Sequence, residues 1–147
     1  MIIELSKEQY RKLAELVFLG NWLANSTKVG DEINQEYEEV EQLIYSYAKE
    51  MGMEDLIVYD QQSGEYFPTR TFEESMEPYI DAYDEFTFWQ DLASRLANRD
   101  LIRETGPVHK LTDRQRDRLF ELEEMYENEF VEHGLMNLEL VKKNNKK

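Results

Sequence analysis

Cysteine is absent from the 147 residues. That excludes a disulfide framework, thiolate metal sites, iron–sulfur clusters and a cysteine nucleophile, and it agrees with a reducing compartment. Histidine occurs twice, at His109 and His133, so a site built on paired imidazoles is not expected. Glycine and proline are sparse, with six and three residues, and none of the glycines forms a phosphate-binding loop or a nucleophile elbow. No apolar run approaches the ~18 residues of a membrane-spanning helix. The first residues, Met1-Ile2-Ile3-Glu4-Leu5, have neither a basic region nor a long apolar one, so no signal peptide is expected and the expected location is the cytoplasm.

Basic residues are scarce in one part of the chain. Residues 31–91 hold eighteen acids against Lys49 and Arg70 alone, a net charge of −16. Residues 1–30 are net +1 and residues 92–147 are net 0, so the middle carries the whole excess of the −15 total. Such a surface repels nucleic acid and anionic membranes and attracts basic partners. The plain alternative is a solubilising surface with no specific partner. With 41% hydrophobic and 12% aromatic residues, the chain has the material for a packed core and is not read as disordered.

The apolar residues fall at helical spacing, and the pattern predicts a mainly α fold. About five helices and a small β-hairpin are expected in a single domain over residues 1–141, followed by a disordered basic tail at 142–147. Ser6 and Gln9 have capping-box spacing at the start of the first helix. Its residues Leu16, Phe18, Leu19, Trp22 and Leu23 extend the apolar face nearly all round, which predicts a helix central to the core or to a homodimer through Trp22. In the second helix Ile33, Tyr37, Val40, Ile44, Tyr47 and Met51 form a seam expected to be buried. Glu32, Glu36, Glu38, Glu39 and Glu41 are expected on the opposite face, and Gly52 at the helix end. Leu56–Asp60 and Glu65–Pro68 flank Gln61-Gln62-Ser63-Gly64 and read as the hairpin. Thr71 is the expected cap of a third helix, Asp84 the start of a fourth, and Thr112 with Gln115 the capping box of the last, which Gly134 ends. Leu138, Leu140 and Val141 are a candidate terminal strand pairing with Ile2–Leu5.

Several of these stretches occur together: Leu16–Trp22, Tyr37–Glu41, Gly64–Arg70, and Phe88-Trp89 followed by Arg95-Leu96-Ala97. The ensemble resembles a family of small acidic bacterial proteins of unknown function. The resemblance implies a fold shared over roughly residues 1–140, and it adds no substrate, cofactor or catalytic residue.

Chemistry-bearing patterns are few. Glu129 and His133 share a helix face, but no second such pair completes a di-metal bundle site. Asp60–Glu65 superficially resembles a calcium loop, yet it lacks the required glycine at the sixth position and has Thr71 where the twelfth-position glutamate belongs. No catalytic, cofactor-binding or metal-binding residue is assigned, and no cofactor is expected. Eight aromatics lie within residues 66–89, read either as core packing or in part as a partner-binding patch of Tyr66 and Phe67 beside Arg70. Arg95, Arg99 and Arg103 stripe one helix face and are expected to pair with the acidic second helix or with its equivalent in a dimer, the alternative being an anion or nucleic-acid site, which the surrounding negative charge disfavours. The leading expectation is a non-catalytic interaction or regulatory protein whose acids meet a basic protein surface. Nucleic-acid mimicry, as an inhibitor of a nucleic-acid-binding protein, is its most concrete form. Partner-binding candidates are Glu36, Glu39, Tyr66, Phe67, Arg70, Glu73 and Glu74. The alternatives are a small enzyme with a tyrosine, arginine and carboxylate site, or a structural homodimer.

Overall fold

The structure is a computed structural model describing residues 2–139. Among these are four α-helices, α1 (Lys7–Asn25), α2 (Gln35–Tyr45), α3 (Arg70–Thr105) and α4 (Asp113–His133), with one antiparallel hairpin of β1 (Ile57–Asp60) and β2 (Glu65–Pro68). The chain divides into two compact units, residues 1–81 and 82–147, and α3 contributes to both.

In the first unit, the Ser6 and Gln9 capping box opens α1 as its spacing predicts. α1 and α2 run antiparallel, joined near one end by Tyr10 Oη donating to the Ile44 carbonyl at 2.7 Å. At the other end the Asn25 amide accepts from Asn34 N–H and donates to its carbonyl. The core comprises Tyr10, Ala14, Tyr45, Ala48, Met53, Ile57, Phe72 and Met76. Phe72 lies edge-on to both Phe18 and Tyr45, at centroid distances of 5.6 and 6.4 Å.

Two expectations for this unit are corrected. The seam of the second helix is half exposed at Tyr37 (52%), Val40 (48%) and Tyr47 (49%), whereas Tyr45 and Ala48 are buried. From Val40 to Tyr47 the residue after each seam position lies further inward: Glu41 after Val40, Tyr45 after Ile44, Ala48 after Tyr47. The buried side is therefore turned by about 100°, one residue of an α-helix. α2 also ends at Tyr45, and turns carry the chain to Gly52, which has the positive φ (65°) that its role requires. The second correction concerns α1. It packs by one side only, burying Tyr10, Ala14 and Glu15, while Leu16 and Leu23 stay exposed. It contributes Tyr10 and Ala14 to the core, but its apolar face is not buried all round.

The hairpin forms in the expected place, with Ile57 opposite Pro68 and Tyr59 opposite Tyr66. Asp60 accepts from the amides of Gln62 and Ser63 and from the Ser63 hydroxyl, and Gly64 takes a φ of 78°. The segment resembling a calcium loop is thus the hairpin turn.

In the second unit, α3 and α4 run antiparallel. Trp89 meets Phe130 at 5.4 Å, and Glu104 meets Arg118 at 2.8 Å. Ala97, Leu101 and Leu122 form the core, with Leu111, Leu119 and Tyr126 against it. Thr112 and Gln115 form the second capping box, and Gly134 follows α4. The two helices expected around Thr71 and Asp84 are one helix, because nothing between them breaks the backbone. Pro78 leaves one carbonyl without its helical donor but does not end α3. The helix starts at Arg70, so Thr71 lies inside the first turn; the carbonyl of Thr69 accepts from Glu73 N–H. Ile2–Leu5 and Leu138 adopt no strand. Leu140, Val141 and the 142–147 tail lie outside the described residues.

Candidate interaction surface

The acidic block places its charge outward. Of the eighteen acids within residues 31–91, seventeen are exposed. Glu36 and Glu39 stand exposed on α2, Glu73 in the first turn of α3 and Glu74 just after it, all within the first unit. Acids in a first turn also face the helix N-terminal dipole favourably. Arg70 is not free to serve as an isolated anchor, because its Nε meets Glu74 Oε1 at 2.6 Å.

Glu41 is the exception. Its carboxylate accepts from Asn21 Nδ2 at 3.0 Å and from Tyr45 Oη at 3.2 Å. Burial raises its pKa, and the two hydrogen bonds only partly offset that rise. The same burial, with Glu41 beside it, pushes the Tyr45 phenol far above its ordinary value, and burial alone takes Tyr10 to about 12. Next to Glu41, Gln42 donates to the Tyr66 carbonyl at 2.8 Å and accepts from the Tyr66 amide at 2.7 Å. Its amide thus pairs with the outer edge of β2 as another strand would. Sequence reasoning missed Asn21, Asn25, Glu41 and Gln42, since a polar side chain on a helix carries no local sign of a distant partner. Glu15 is likewise buried. Burial works to raise its pKa, but Lys12 (2.6 Å) and Arg11 (3.0 Å) hold it lower on balance.

Tyr66 and Phe67 of the proposed patch lie on opposite faces of β2. Successive strand residues point to opposite faces. Tyr66 lies inward against the core, its ring 4.9 Å from that of Tyr59, while Phe67 shares the outer face with Val58 and is 42% exposed. Core packing takes only part of the aromatic group: Phe72 is buried and Trp89 packs on Phe130, but Tyr79, Tyr83, Phe86 and Phe88 are exposed.

Among the described residues the arginine stripe pairs within α3 and with α4. Arg95 meets Asp91, while Arg99 and Arg103 both meet Asp100. Tyr126 Oη also donates to Asp100 and accepts from Arg99 Nη2 at 3.0 Å. The Arg99 hydrogen bonds, with those of Tyr126 and the charges of Arg99 and Arg103, outweigh burial and pull Asp100 down to about 2. A tyrosine, arginine and carboxylate cluster therefore exists, but its groups are spent on one another. His133 Nδ1 lies 3.3 Å from Glu129, and His109 is exposed in the loop before α4. Among the described residues no three histidine or carboxylate side chains are placed to hold a metal ion, and no helix is long and apolar enough to cross a membrane.

Comparison with known protein families, curated proteins and solved structures finds no significant match. The functional reading therefore rests on this chain's own residues.

Proposed function

We propose that this protein is a non-catalytic interaction or regulatory protein whose acidic first unit engages a basic protein surface. The observation that carries the reading is the outward placement of the acids: fourteen of the fifteen within residues 31–81 are exposed, with Lys49 and Arg70 the only bases there and Arg70 already paired. A small domain needs a net charge of about 2–8 in magnitude for solubility, and clustered like charge opposes folding. Attraction to lysine- and arginine-rich surfaces is the use that repays it. Inhibition of a nucleic-acid-binding protein by mimicry of the phosphate backbone is the most specific form.

The test is affinity capture from lysate at about 0.05 and 0.5 M salt, a range over which the Debye length shrinks several-fold. Retention of basic proteins at low salt and their loss at high salt is expected. Retention indifferent to salt, or of proteins without basic surfaces, would overturn the reading.

A further inference from the structure

α1 and α2 meet through their inner sides, where Tyr10, Ala14 and Asn21 face Ile44, Tyr45 and Glu41. Beside this junction they leave a groove of about 340 Å³, lined by Val17, Gly20, Asn21, Leu23 and Ala24 of α1 and by Tyr37 and Val40 of α2, the Asn21 amide being held by Glu41. Its apolar lining is uncovered: Leu23 is 59% exposed, Tyr37 52% and Val40 48%, with Leu16 and Leu43 also bare. Tyr37 and Val40 are seam residues that hydrophobic spacing alone would bury, and exposed apolar surface of this kind marks an interaction site.

The shape suits a helix. Val17, Gly20 and Ala24 recur at helical spacing, so their short side chains present a low floor along α1. A Cβ built at Gly20 meets nothing within 4 Å, so the space above that floor is open. Charge decides which helix. α2 carries Glu36, Glu38, Glu39 and Glu41 without a lysine or arginine, Asp31 and Glu32 precede it, and no basic side chain lines the groove. Glu36 lies one turn before Val40, on the outer flank of the groove, and Glu39 lies beyond it. A second copy of this chain would set these glutamates against their own equivalents, because a two-fold contact brings the same patch together.

We infer that the α1–α2 groove docks one amphipathic helix of a basic partner. Its apolar ridge lies between Val17–Ala24 and Tyr37–Val40, and its lysines or arginines face Glu36 and Glu39. This rests on the acidic-surface reading above and assigns it a place and a partner element, in the helix-in-groove mode.

The probe is a labelled peptide of about 18 residues, long enough to form a helix, with leucines at i, i+3, i+4 and i+7 and lysines on one flank. A scrambled peptide of the same composition serves as control. Fluorescence anisotropy is read for the wild type, for Gly20→Leu, which fills the groove where space is open, and for Glu36→Gln/Glu39→Gln. The amphipathic peptide should bind at least roughly tenfold tighter than the scrambled one, and Gly20→Leu should weaken it by a similar factor while melting no lower than the wild type. The double glutamine variant should bind more weakly and with a shallower salt dependence. Amide shifts on titration should centre on residues 17–24 and 37–40. Equal binding by wild type and Gly20→Leu would overturn the inference; if salt and the glutamines still mattered, the wider acidic-surface reading would survive it. Binding indifferent to salt and to the glutamines would sink both. A wild-type dimer that Gly20→Leu dissolves would give the groove to a second copy and overturn the proposal.

Discussion

Aspartate placed at Val40 and at Ala48 should have very different consequences, although the hydrophobic seam of the second helix puts Val40 in the core. Full burial of a valine side chain is worth about 1.5–3 kcal/mol. Val40 is 48% exposed, so roughly 1 kcal/mol of that is at stake. Repulsion from Glu36, four residues away, adds a few tenths. Ala48 is 1% exposed, against Tyr10, Tyr45 and Met53 in the core. A carboxylate there would be buried without a partner, at a cost of several kcal/mol after relaxation, and it would overfill a site shaped for a methyl group. With total stabilities of about 5–15 kcal/mol typical of small proteins, Ala48→Asp should leave the first unit largely unfolded, while Val40→Asp lowers its urea midpoint modestly. Trp22 lies in the first unit and Trp89 in the second. Fluorescence in a Trp89→Phe background therefore reports on the first unit alone. If Ala48→Asp unfolded like its parent while Val40→Asp collapsed, the inward face assigned to α2 would be wrong.

Glu41→Gln should stabilise the first unit at neutral pH. The pKa of Glu41 is raised by burial, so its contribution is intact when it is protonated and is lost as pH rises through the folded-state pKa; the glutamine gain should vanish below the ordinary glutamate range. Urea titrations at several pH values would show this, and a constant difference would refute it. Asp100 has the opposite sign. Held down to about 2, it contributes stability above the ordinary aspartate range that is lost as pH falls toward 2. Its side chain is 21% exposed, so Asp100→Asn should cost about 1–2 kcal/mol at pH 7 after solvent screening. The variant should also flatten the acid limb, read from Trp89 in a Trp22→Phe background. Pro78→Ala restores a donor to the Glu74 carbonyl inside α3 and should stabilise by about 1–3 kcal/mol in thermal melts, given the ~3 kcal/mol proline penalty in helix interiors.

What the sequence reveals divides by range. Both capping boxes and the hairpin turn are legible because their partners lie within a few residues, Ser6 with Gln9, Thr112 with Gln115, and Asp60 with Ser63. The inward turn of α2 is not. It depends on Asn21 reaching Glu41 and on Gln42 pairing with Tyr66, twenty or more residues apart, so polar residues that a periodicity argument sends to solvent are drawn inward. The union of the two expected helices in α3 is not legible locally, because Asp84 suits a helix start as well as an exposed position within a helix. On the candidate surface, the exposure of Glu36, Glu39, Glu73 and Glu74 followed from their type. The separation of Tyr66 from Phe67 required only strand alternation. Arg70 with Glu74 is an ordinary i, i+4 pair, readable from spacing once the helix start is known.

The central claim is that the acids of the first unit, rather than net charge in general, recruit a basic partner. Association rates with a captured basic protein should be compared for the wild type, for Glu36→Gln/Glu39→Gln/Glu73→Gln/Glu74→Gln, and for a control of equal charge, Asp117→Asn/Glu124→Gln/Glu127→Gln/Glu132→Gln, confined to the second unit. Steered association falls steeply when local complementary charge is removed. The first variant should associate roughly tenfold more slowly at low salt, with rates converging at high salt, and the control should track the wild type. Equal slowing by both variants, or by neither, would contradict the account.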